Sequence, residues 1–98
     1  MPSYRSESID RLFRAIMTLD NLEDCYAFFE DICTIKEVQD MTQRLDTAFL
    51  LNEGMSYQNI SQQVGVSTAT IGRVSRCLNY GNGGYKAVIQ KLKEAENA

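Results

Sequence analysis

Histidine and tryptophan are both missing from this chain, and its one proline is Pro2. Without histidine it lacks the commonest general base and metal ligand near neutral pH. No carboxylate pair takes over that role, so the sequence offers no catalytic residue and no metal site, and an enzyme is not expected. Beyond Pro2 nothing breaks a helix from within. There is no run of about 18 apolar residues, which argues against a membrane span. The opening Met-Pro-Ser-Tyr-Arg-Ser-Glu has no apolar stretch of the kind a signal peptide needs. The expected location is therefore the cytoplasm. The three cysteines, Cys25, Cys33 and Cys77, are an odd number without metal-type spacing. In a reducing compartment they pack as small apolar residues.

The most telling absence is local. Between Met55 and Lys93 there is no acidic residue, while Arg73, Arg76, Lys86, Lys91 and Lys93 are basic. The chain as a whole carries formal charge -3, because residues 1–54 hold eleven acidic side chains against five basic ones. Positive charge has been gathered into one half of an acidic protein.

What is present is helical almost throughout. With 98 residues and 44% apolar content, a single globular domain over 1–98 is expected. Ile9, Leu12, Phe13, Ile16 and Met17 recur on one face of a helix over about 7–19. Asp20 or Asn21 can cap the next helix, which carries Leu22, Cys25, Tyr26, Phe29, Ile32 and Cys33. Thr34 and Glu37 form a capping box for a third helix that runs from Ile35 to about Asn52. Its apolar side holds Val38, Met41, Leu45, Ala48 and Phe49, and Gly54 ends it. The aromatic set Tyr26, Phe28, Phe29 and Phe49 reads as core or dimer interface.

Ser56 caps a short helix over about 57–63, Gly65-Val66 make a turn, and Ser67 caps a helix to about Asn79. Gly81-Asn82-Gly83-Gly84 is a flexible break. It has no strand before it and no Lys-Ser or Lys-Thr after it, so it is not a nucleotide loop. A last helix over 85–96 carries Tyr85, Val88, Ile89 and Leu92. The expected fold class is all-α with six helices: 1–54 for dimerisation, 56–79 a helix-turn-helix, 85–96 a C-terminal helix.

Within the helix-turn-helix, Ile60 and Val64 lie on the inner face of the first helix, and Ser61 is small where the second crosses it. Gly65 suits the positive φ of a tight turn. Ile71, Val74 and Leu78 bury one face of the second helix. The opposite face carries Ala69, Gly72, Arg73 and Arg76, and Ser67, Thr68 and Thr70 crowd its N-terminus. Small residues admit a close approach, arginines reach phosphates or guanine, and free helix N–H groups favour phosphate. With Gln58 on the first helix, these are the candidate contacts to double-stranded DNA. Tyr57 and Tyr80 flank them, either touching the backbone or serving as half-buried spacers. Lys86, Lys91 and Lys93 add to the phosphate footprint or form a solvated face. Two packed helices with a solvated face would fit the same pattern. That alternative makes the chain a helical protein–protein interaction module, and its cue is the sequence pI of about 4.8.

Residues 52–79 resemble the DNA-binding core of the Trp repressor, through Gly54-Met55-Ser56, the Ala-Thr-Ile-x-Arg run at 69–73 and Ser75-x-x-Leu78. The whole chain looks like the YerC/YecD branch of the Trp-repressor-like superfamily. That resemblance implies an intertwined homodimer and a transcriptional repressor on a two-fold operator. In the family two arginines sandwich a tryptophan corepressor. Arg73 matches one of them; the other falls at Gln43, with Arg44 beside it, and a threonine of the contact region matches Gly72. Arg44 and Arg73 are therefore the candidate ligand residues, for a small-molecule corepressor of unknown identity and with no other cofactor.

Overall fold

The computed structural model describes residues 4–97. Residues 1–3 and Ala98, which the single-domain reading includes, lie outside the described residues. Six α-helices and no strand are found among the described residues: α1 (Glu7–Met17), α2 (Leu22–Ile32), α3 (Ile35–Asn52), α4 (Tyr57–Val64), α5 (Thr68–Tyr80) and α6 (Gly84–Glu96). The chain divides into two compact units, with the boundary inside α3 between Val38 and Gln39.

The first unit is made of α1, α2 and the start of α3. Ser6 caps α1 by accepting from the Ile9 N–H at 3.1 Å. Asn21 caps α2 by accepting from the Asp24 N–H at 2.9 Å, which decides between the two expected caps. At the start of α3 the Thr34 N–H donates to the Glu37 carboxylate at 2.8 Å, and the Glu37 N–H donates to the Thr34 hydroxyl at 3.1 Å. Both halves of the capping box are closed, so orphan N–H groups at this helix end find partners. Neither α1 nor α2 contains a fully buried residue. Their apolar stripes are only partly covered: Ile9, Ile16 and Phe29 are half-buried, whereas Met17, Leu22 and Tyr26 are among the exposed large hydrophobics. Phe28 and Phe29 meet edge to face, with ring centroids 5.7 Å apart.

The second unit holds the core. Ala48 from α3, Val74 and Leu78 from α5, and Ile89 from α6 form its buried cluster, with Phe49, Leu51 and Tyr85 packed against it. Ile60 and Ile71 are also fully buried. The apolar side of α3 thus enters the core at Ala48, whereas Met41 on the same side remains exposed. Thr47 is the buried polar residue here, and its hydroxyl donates to the Gln43 carbonyl at 2.7 Å. This back-bond satisfies it without a tertiary partner. The glycine-rich break is shorter than its four residues suggest, because Gly84 already belongs to α6 and Gly83 caps it in the left-handed region.

Candidate nucleic-acid interface

Helices α4 and α5 are joined by Gly65, Val66 and Ser67. Gly65 has φ 85° and its N–H closes α4 on the Ser61 carbonyl at 2.9 Å. A side chain at that φ would be strained, so glycine is what lets the chain turn so tightly. The hydroxyl of Ser61 then donates to the Val66 carbonyl at 2.7 Å. Sequence spacing marks Ser61 only as small; the structure makes it a clip across the turn. Replacing Ser61 by alanine leaves a part-buried carbonyl without this partner, so stability should fall by about 1–2 kcal/mol. Thermal unfolding followed by circular dichroism checks it.

Ser56 caps α4 by accepting from the Asn59 N–H at 3.2 Å, and Ser67 caps α5 by accepting from the Thr70 N–H at 3.1 Å. The Ser67 hydroxyl also donates to that of Thr70 at 3.1 Å. Ser67 and Thr70 are thus already engaged with the helix start, while Thr68 and Ala69 stand exposed.

Burial divides α5 cleanly. Ile71, Val74 and Leu78 are 0%, 3% and 5% exposed. On the other side Arg73 and Arg76 are exposed and Gly72 is half-buried. Among the described residues no carboxylate pairs with either arginine. Their charge is therefore unspent within the chain. Gln58 is exposed near the start of α4. Tyr57 is 42% exposed and Tyr80 is 87% exposed, so the half-buried spacer role does not describe Tyr80. Lys86 and Lys91 are exposed on α6, and Lys93 is partly covered.

One cleft of about 370 Å³ opens beside α5. Gln43, Arg44 and Asp40 of α3 line it, together with Thr70, Arg73, Val74 and Cys77 of α5 and Tyr85 of α6. Arg44 and Arg73, named together from the family resemblance as candidate ligand residues, both line this cleft. Asp40, Cys77 and Tyr85 carry no sequence signal for it, since they come from helices that only folding brings together. Burial pushes the Tyr85 phenol above its ordinary value, against the pull of the Arg44 guanidinium. The phenol therefore stays neutral near pH 7.

The family model of the Trp repressor protein matches residues 7–93. An uncharacterized protein of Bacillus subtilis, YerC, is 50% identical over 92 residues, covering 94% of this chain and 88% of its own. A TrpR-like protein from Eubacterium eligens superposes with TM-score 0.88 at 45% identity, covering 91% of this chain and 92% of that one. A second solved structure, from Staphylococcus aureus, gives TM-score 0.87 at 45% identity over 91% of this chain and 89% of its own.

Proposed function

Because this chain belongs to the Trp repressor protein family, we propose that it is a transcriptional regulator, a repressor that binds a two-fold operator as a homodimer. The observation that carries this reading is the outward face of α5. Arg73 and Arg76 stand there exposed, in a stretch from Met55 to Lys93 without one acidic side chain. A DNA duplex supplies the counter-charge, and the start of α5, from its cap Ser67 to Thr70, reaches the base edges. Gln58 and the α6 lysines add backbone contacts. The protein works in the bacterial cytoplasm, at the nucleoid when bound.

The dimer part of the proposal rests on α1 and α2. Leu12, Phe13, Met17, Leu22, Tyr26 and Ile32 are exposed along helices that hold no fully buried residue in one chain. Apolar surface of this kind is what a partner covers. A second copy would place two α5 helices roughly one DNA turn apart. Arg44 and Arg73 are the proposed contacts of a small-molecule corepressor in the cleft they line.

Selection from a random duplex pool tests the reading. The retained sites should share a two-fold symmetric consensus. Their affinity should fall linearly on a logarithmic salt scale, by roughly 0.9 for each phosphate neutralised. Failure to retain any duplex at low salt, alongside stable capture of a protein partner, would favour a helical interaction module instead.

A further inference from the structure

Gly72 is the fifth residue of a thirteen-residue helix, a place where glycine is the least favourable residue after proline. Two intramolecular reasons could keep it there, and neither applies. Its φ is not in the left-handed region, unlike that of Gly54, Gly65 and Gly83. Nor does packing forbid a side chain, because a Cβ built at Gly72 meets no atom within 4 Å. Gly72 also lies outside the Arg44–Arg73 cleft, so the space is not kept for a ligand there. Within the chain, alanine would be the better residue.

We infer that the missing Cβ of Gly72 is kept clear for the sugar-phosphate backbone or groove wall of a bound duplex, making Gly72 a positioning residue for the DNA complex. This rests on the DNA-binding reading of α5. Charge complementarity commits the space to a duplex. Arg73 adjoins Gly72 and Arg76 lies one turn further on, both exposed, and no acidic residue occurs within the surrounding stretch from Met55 to Lys93. At this point the helix axis can approach the DNA more closely by the width of a methyl group. The flanking guanidiniums then reach their phosphates or base edges in a shorter, better aligned geometry. The glycine sacrifices helix stability for that approach, the trade expected where activity and stability compete.

The two properties should therefore move in opposite directions on one substitution. G72A should raise the thermal midpoint of the protein and weaken its binding to duplexes that the wild-type chain retains from a random pool by about tenfold, the size of one lost contact. G72V should weaken binding further. A87G, which loosens α6 at an exposed alanine outside the proposed DNA contacts, serves as the control and should lower the midpoint while leaving binding nearly unchanged. Equal affinity of wild type and G72A would overturn the inference while leaving the DNA reading intact, provided that wild type still retains duplex. Altered sedimentation of G72A without DNA would also overturn it, by assigning the space to a second copy of the chain. If the wild-type chain retains no duplex, the reading of α5 itself fails.

Discussion

Replacing Arg73 and Arg76 together by alanine is expected to remove DNA binding while leaving the six helices in place. Each arginine that reaches a phosphate or guanine contributes about 1–3 kcal/mol. Two lost on each chain should lower affinity by about a hundredfold or more. Both side chains are exposed. Surface substitutions of this kind usually change stability by no more than about 0.5 kcal/mol. Circular dichroism and the thermal midpoint should therefore match wild type, whereas fluorescence anisotropy with a labelled duplex should not saturate. The salt dependence of any residual binding should be shallower by about one for each phosphate contact removed. The single variants separate the two roles proposed for Arg73. Arg76→Ala should weaken DNA binding alone, while Arg73→Ala also alters a wall of the cleft shared with Arg44 and Tyr85. Wild-type affinity in the double variant would show that the duplex contacts some other surface.

Ile71→Ala should do the reverse, damaging the fold rather than the surface. Ile71 is completely buried on the inner face of α5, the helix that packs against both α4 and α6. Truncating a buried isoleucine to alanine removes transfer free energy and leaves a cavity, at a cost of about 2–5 kcal/mol. Domains are commonly stable by only about 5–15 kcal/mol. The thermal midpoint should consequently fall by at least about 10 °C. DNA binding measured well below that midpoint should survive, because Ile71 presents nothing outward. A variant melting like wild type would mean that α5 is rotated from the orientation described.

Much of this architecture is legible in the sequence because the physics behind it is local. A capping hydroxyl or amide acts within three residues, so Thr34, Ser56 and Ser67 mark their helix starts in the sequence itself, while at α2 the sequence leaves Asp20 and Asn21 both open and the bond from the Asp24 N–H selects Asn21. The 3.6-residue period places Ile71, Val74 and Leu78 on one face, and burial follows. Gly65 is equally readable, since a turn that short needs positive φ. What the sequence hides depends on distant partners. Nothing near Tyr85 or Asp40 announces that both will line a cleft with Arg73, because that meeting is made by α3, α5 and α6 together. The stripe on α1 is plain as a pattern, yet pattern alone cannot say what covers it. Ser61 is readable as small, but its bond to the Val66 carbonyl needs the turn to exist first. Gly84 inside α6 escapes for a different reason: glycine carries no periodic signal, so a helix beginning on it looks like loop.

The exposed stripes of α1 and α2 have a consequence for dosage. Where Met17, Leu22 and Tyr26 are covered by a second copy, the folded state gains free energy with every increase in protein concentration. Thermal resistance then becomes a property of the population rather than of the molecule. In a cell holding few copies, dilution would loosen the N-terminal helices, and the number of chains would decide how many are fit to act. In the proposed dimer, the share of chains fit to act would therefore track their own abundance.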